Sequence, residues 1–270
     1  MNSRFLFAVL FLLFLLGSSR AGVAQNKVYR SGASWPELQL EYVFKSTSYL
    51  YLRNQYRHNF DPDFNLLEEK GPLKVLERWQ IRAGFEHMFS DSWSGGIAEA
   101  YAIERTRKIL FNEVYLRHIS SFGKLRFTQR ASFEHIVQWG RPNYGRVRLR
   151  ADIDHEFKVG GRNIRPRIAY EPFFNLDYLP DEELKDTQRW VDRTRLRFEV
   201  LFPLTDHFAI TPFFTRQSDF LIIEPSYDAN NNIIRPGGKQ NYITPIYGID
   251  LRYAIFKGGT PFPRVIKINR

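Results

Sequence analysis

Cysteine is absent from all 270 residues. That excludes disulfides, thiolate catalysis and cysteine-ligated metal centres. It also excludes the lipobox through which an exported chain gains a lipid anchor. Long apolar runs are nearly as scarce. The one that exists, Phe5 to Leu16, is too short for a membrane helix, which needs roughly 20 apolar residues. A place in a membrane would therefore have to be taken by a closed barrel of strands, the other structure that satisfies its backbone within lipid. Catalytic signatures are missing too: the chain has no HExxH, EF-hand or GxSxG pattern. No catalytic residue, cofactor or metal site is expected.

What is present begins with a leader. Arg4 precedes the apolar run, and Gly17 to Ala24 is a small-residue stretch ending in Gly22-Val23-Ala24. These are the three parts of a secretory signal. The expected organisation is a signal peptide over 1–24 and a single domain over 25–270. Removing Arg4 and Arg20 with the leader takes the formal charge from +10 to +8. An exported basic chain rarely meets nucleic acid. Anionic lipid headgroups, lipopolysaccharide among them, or an anionic solute are the expected partners. Aromatic residues make up 16% of the chain, which argues against disorder and suits a lipid-facing surface with aromatic girdles.

The dominant pattern is alternation with period two, the mark of a strand. In Arg146 to Val159, Arg146, Arg148, Arg150, Asp152, Asp154, Glu156 and Lys158 share one face. Val147, Leu149, Ala151, Ile153, His155 and Phe157 share the other. The same sorting recurs in 77–89, 124–135, 164–175, 189–202 and 247–256. Weaker strands are expected over 38–44, 48–58, 93–104, 109–119 and 207–220, with the tail 264–269 a candidate twelfth. Short turns near residues 46, 91, 122, 160 and 205 alternate with longer loops over 59–76, 136–144, 176–188 and 221–241. Residues 105–108 form a shorter member of the second set. This alternation is the habit of bacterial outer-membrane barrels. Counted this way, the first strand begins at the long-loop end, so either the N-terminus threads the lumen or an earlier strand lies near 27–32.

The expected fold is all-β: a closed antiparallel transmembrane barrel of about 10–12 strands, placed in the outer membrane of a Gram-negative cell. The apolar faces carry Phe, Tyr and Ile, too bulky for a small barrel's interior. The charged faces mix signs and suit pairing across a lumen. A soluble periplasmic lipocalin-like barrel, with the faces reversed, is the alternative architecture.

Four segments carry a family resemblance: NEVYLRHISSFGKLRFTQRASFEHI (Asn112 to Ile136), GRVRLRADIDHEF (Gly145 to Phe157), IRPRIAYEPFFN (Ile164 to Asn175) and RTRLRFEVLFPLTDHFAITPFF (Arg193 to Phe214). With its Arg-rich strands, short turns and strand-end glutamates, the chain resembles the domain-of-unknown-function 2490 family of exported barrels from about Trp35 to Phe256. The resemblance implies architecture and no particular chemistry.

The candidate functional residues are the charges expected to face inward. They are Arg82, Glu86, Arg126, Arg130, Glu134, Arg146, Arg148, Arg150, Asp152, Arg165, Arg167, Glu171, Arg193, Arg195 and Arg197. Arg78, Arg252, Glu113, Asp154, Glu156, Glu199 and Asp250 are expected beside them. Two readings of this lining stand: a plug of arginine–carboxylate pairs with a structural role, or a narrow anion-permeable conduit. A lipid-modifying enzyme is the other functional class, with His87 and Ser92 or Ser94 as a candidate outward dyad. Trp35, Trp79, Trp93, Trp139 and Trp190 are expected in an interfacial belt. The acidic loop segments Asp61-Pro62-Asp63 and Pro180 to Glu183 are expected to be solvated.

Overall fold

The computed structural model describes residues 26–45, 47–61, 75–104, 107–160, 162–177, 191–223, 225–228, 232–235 and 237–256. The signal peptide, the 264–269 tail, Trp190 and the Pro180 to Glu183 segment lie outside the described residues, as do Pro62 and Asp63. The strands in chain order are β1 (Asn26–Tyr29), β2 (Ala33–Lys45), β3 (Ser48–Asn59), β4 (Leu76–Met88) and β5 (Trp93–Glu104). Then come β6 (Arg107–Phe122), β7 (Leu125–Gln138), β8 (Tyr144–His155), β9 (Phe157–Val159) and β10 (Arg162–Asp177). The last are β11 (Arg193–Pro203), β12 (Phe208–Ile223), β13 (Ser226–Tyr227), β14 (Ile233–Arg235) and β15 (Gly238–Phe256).

The chain divides into two compact units. The smaller takes in residues up to Val28 and the segment Leu221–Asn241. Within it β13 pairs with β14, and Asp228 accepts the backbone N–H of Asn232 at 2.7 Å. The larger unit, Tyr29–Phe220 with Tyr242–Arg270, holds the barrel.

Eleven strands form the ring: β2 to β8, then β10, β11, β12 and β15, which returns to β2. Each step from β2 to β12 is an antiparallel neighbour. Short hairpins set these registers. Phe122 pairs with Leu125, so Gly123 and Lys124 alone make the turn, and Gly123 adopts a φ of 60°. A two-residue hairpin loop demands such a left-handed residue, and glycine takes it without strain. The break between β8 and β9 at Glu156 does not shift the register: Arg167 pairs with Asp154 and Ile164 with Phe157. The expected strand over 146–159 is thus continuous.

The closing step differs from the rest. β15 pairs with β2 in parallel, from Ile246 beside Ala33 to Phe256 beside Val43. An odd number of up-and-down strands forces this, because the first and last then run the same way. It also accounts for a first strand that begins at the long-loop end. Just ahead of β2, Arg30 N–H donates to the Ile243 carbonyl at 3.0 Å.

The side chains sort by parity. On β2, Trp35, Glu37, Gln39 and Glu41 point inward and are buried, while Leu38, Leu40, Tyr42 and Phe44 are exposed outside. On β7 and β8, Arg126, Glu134, Asp152 and Asp154 are buried, while Leu125, Phe133, Leu149 and Ile153 are exposed. This is the reverse of a water-soluble barrel. Bands of aromatic and histidine contacts ring both ends. At the short-turn end Trp93 packs on His118 at 4.5 Å and His155 on Phe157 at 4.3 Å. At the long-loop end Tyr101 meets Trp139 at 6.4 Å and Phe60 meets Tyr247 at 6.5 Å. A 13-residue strand tilted by about 40° stands about 33 Å tall, enough to carry an apolar band of about 25 Å.

Candidate functional site: the charged lumen

Inside the ring lies a cavity of about 340 Å³. Among the described residues its walls carry fifteen arginines and eight carboxylates. The excess of positive charge has a geometric origin. Direct cross-strand partners often carry the same sign: Arg117, Arg130 and Arg150 stand in one row across β6, β7 and β8. Arg57 faces Arg78, Arg53 faces Arg82, and Glu113 faces Glu134. Like charges placed directly opposite destabilise a sheet, so relief has to come from diagonal contacts.

The carboxylates supply that relief from beneath. Glu113 and Glu134 have side chains at 0% exposure, sunk against the wall. Glu113 accepts from Arg130 at 2.6 Å and Arg148 at 2.9 Å, and also from Arg82. Glu134 accepts from the Arg146 Nε at 2.7 Å and faces Arg148 at 3.2 Å and Arg82 at 3.6 Å. A glutamate stem is short and a guanidinium long, so the acid stays at the wall and the cation reaches the cavity. Arg148 extends the network to Glu171 at 3.6 Å.

A second cluster lies toward the short-turn end. Asp154 holds Arg126 at 2.8 Å, Arg165 at 3.4 Å and Arg167 at 3.6 Å. Glu199 holds Arg167 at 2.8 Å and Arg197 at 2.5 Å, and Arg197 reaches Asp250 at 2.7 Å. Arg150 binds Asp152 at 2.7 Å, and Arg165 binds Glu156 at 2.5 Å. Glu86 is saturated: Tyr49 donates to it at 2.6 Å, Ser94 at 2.8 Å, and Tyr115 and Arg117 at 2.9 Å each.

Aromatic rings lie flat on the same wall where glycine leaves room. A Cβ on Gly84 would stand 2.3 Å from the Tyr51 ring, and one on Gly248 would stand 2.1 Å from the Phe213 ring. Arginines then stack on the exposed ring faces, Arg197 at 3.6 Å over Phe213 and Arg130 at 4.1 Å over Tyr115. Stacking fixes a guanidinium in place without cancelling its charge.

Of the charges expected to face inward, the arginines other than Arg165 line the cavity with Glu86, Asp152, Glu171, Glu199 and Asp250, while Arg165, Glu113, Glu134 and Asp154 are buried. Arg193 is tied to Asp219 and Arg195 to the Gln217 side chain. The expectation missed Arg53, Arg57, Arg117, Glu37 and Glu41, which also line the cavity. Trp35 corrects the belt assignment: its ring faces the lumen at 7% exposure. Strand-end position is shared by belt and lumen residues, but Trp35 is in phase with Glu37 and Glu41. Trp139 is exposed, and Trp93 stands exposed at the short-turn rim, against His118 and at the edge of the cavity. The His87 dyad is not formed. His87 Nδ1 lies 2.8 Å from Ser48 Oγ, whereas Ser94 donates to Glu86 on the inner side of the wall. One polar row of the outer face sets Glu99 beside Asn112 beside His135. Its register neighbours are Ala83 and Gly145, which supply no nucleophile. Among the described residues no cluster of three or more His, Cys, Asp and Glu residues is placed to hold a metal.

The chain belongs to the family described as a protein of unknown function, DUF2490, whose model matches residues 32–222. No curated protein shows a significant sequence match to it. Solved structures similar to the chain include one titled as the NanC porin, at 12% identity and a TM-score of 0.41, covering 84% of this chain and 97% of that one. LpxR from Salmonella typhimurium is similar at 8% identity and a TM-score of 0.43, covering 80% of this chain and 87% of that one.

Proposed function

We propose that this DUF2490 barrel resides in the outer membrane of a Gram-negative cell, surrounded by its lipids and lipopolysaccharide, and acts as a narrow conduit for small anions. The observation that carries this reading is the layering of the lumen. Carboxylates lie buried at the wall, arginines lie over them, and an apolar exterior surrounds both. Anion pores use rings of Arg or Lys in this way, and low-dielectric walls focus the field of the lining. A plug of balanced pairs would need no surplus of arginine at the cavity surface. The row Arg117, Arg130 and Arg150 is held by carboxylates on the wall, Glu86, Glu113 and Asp152, which leaves the guanidiniums lining the cavity.

The test is conductance of the purified, folded barrel in a planar bilayer under a salt gradient. Steady openings with a reversal potential on the anion side are expected. Arg130→Ala with Arg150→Ala should move that potential toward zero. A folded barrel that stays silent would overturn the conduit and leave a salt-bridged structural protein.

A further inference from the structure

Two of the lumen arginines are held at Nε by an uncharged amide in place of a carboxylate. Arg57 Nε donates to Gln55 Oε1 at 2.8 Å, and Arg195 Nε donates to Gln217 Oε1 at 2.8 Å. Both acceptors are uncharged amides. Among the described residues Arg57 has no carboxylate within ion-pair distance, and the acid nearest Arg195 is Glu171 at 3.9 Å. Arg78, Arg193, Arg195 and the Glu77 carboxylate lie within electrostatic range of Arg57. Arg78 and Arg193 are already bound to carboxylates of their own, Glu104 and Asp219.

Between the two stands Trp35. The Arg57 guanidinium lies 4.0 Å from the centre of its ring and that of Arg195 lies 5.1 Å away. The Trp35 side chain is buried, yet its indole N–H has no hydrogen-bond partner among the described residues. A buried donor left unmade costs about 1–3 kcal/mol, and an indole offers a donor only. Trp35, Arg57 and Arg195 all line the cavity. They converge at the long-loop half of the lumen, since Arg57 lies near the end of β3 and Arg195 near the start of β11.

We infer that Trp35, Arg57 and Arg195 form a binding site for a divalent oxyanion of the phosphate type, through which the conduit takes up its solute at the long-loop mouth. The donor set contains N–H groups and no acceptor, which suits a group whose exposed atoms are all acceptors. Two guanidiniums, one without a carboxylate in ion-pair distance and one held only loosely by Glu171 at 3.9 Å, suit an anion that carries more than one negative charge, as a phosphate does near neutral pH. Chloride offers one charge and no directed lone pairs for N–H donors. The glutamines act as positioning residues: they hold each Nε by an uncharged amide. The inference rests on the anion-lumen reading and adds a place and a class of solute to it.

The experiment is titration of the full-length folded barrel in detergent with inorganic phosphate, followed by calorimetry and by tryptophan fluorescence. Saturable binding is expected, with chloride competing weakly. Trp35→Phe keeps the stacking ring and removes only the N–H; it should weaken phosphate binding about tenfold. Arg57→Gln should weaken it at least as much, while Arg216→Gln on the outer face should leave it unchanged. Each variant is first checked for the compact, heat-modifiable gel band of a folded barrel, so two independent substitutions protect the test against one that misfolds. Phosphate binding that is absent, or unchanged in both folded variants, overturns the site. Bilayer recordings separate it from the reading it rests on. Anion-selective current that phosphate does not block leaves the conduit standing and this site refuted. Phosphate binding lost in Trp35→Phe, in a barrel without current, supports the site and refutes the conduit.

Discussion

Replacing Glu113 by glutamine should be the most damaging single loss of charge in the lumen. The side chain is fully buried and serves three arginines at once. Their fallback positions differ. Arg148 keeps Glu134 at 3.2 Å and Glu171 at 3.6 Å, and Arg82 keeps Glu134 at 3.6 Å. Arg130 keeps its stack on Tyr115, at 4.1 Å. Removing one partner of a buried ion pair costs about 3–5 kcal/mol. The guanidiniums retain access to cavity water, so a loss near the lower end, about 3 kcal/mol, is expected. Glu104→Gln is the comparison. That carboxylate serves Arg78 near the rim and is 29% exposed, which places its loss at about 1 kcal/mol or less. Urea unfolding of protein folded into lipid vesicles, read by tryptophan fluorescence, measures both. The same variant should become more anion-selective, because a negative charge leaves the lumen. Equal destabilisation by the two substitutions would refute the argument that buried carboxylates organise the arginine layer.

Three further outcomes follow from the geometry. Gly248→Ala places a methyl 2.1 Å from Phe213 and 2.5 Å from the Trp35 carbonyl; it should cost about 1–3 kcal/mol, and Phe213→Ala in the same background should restore part of it. Tyr115→Phe removes one of the hydrogen bonds to Glu86 while keeping the ring, and should cost about 1.5–3 kcal/mol in the same unfolding assay. Single-tryptophan variants should divide by face: Trp139 quenched by brominated acyl chains, Trp35 by iodide alone. Quenching of Trp35 by brominated lipid would contradict the assigned parity.

The strands were legible because charge sorts by parity more sharply than apolarity does. In β8 five successive charged positions, Arg146 to Asp154, agree, and the exposed Leu149 and Ile153 lie on the opposite parity. Where tyrosine replaces arginine on the inner face, the signal weakens. Tyr49 and Tyr51 oppose Leu50 and Leu52 on β3, so Arg53 and Arg57 went unassigned although they share the tyrosines' phase. Trp35 was misplaced for a related reason, since nearness to a strand end says nothing about the direction a ring takes. The ion pairs themselves were not legible. Glu113 sits directly opposite Glu134, and its true partners lie two to four residues out of register, on β7 and on β4 and β8 one strand further away. Such diagonals depend on the stagger between strands, which no single strand encodes.

The parallel seam bears on how the ring comes to exist. Every other neighbour is close in sequence, whereas here residue 33 lies beside residue 246. That contact carries the largest loop-closure cost in the ring, and parallel pairing is slightly less stable per residue than antiparallel. Until it forms, β2 and β15 are open edges, and in hydrocarbon each unpaired backbone group costs several kcal/mol. A sheet of ten completed steps would thus be stranded between water, where its outer face is insoluble, and lipid, where its edges are intolerable. Insertion and sealing must be a single event, performed with the two ends of the chain already in hand.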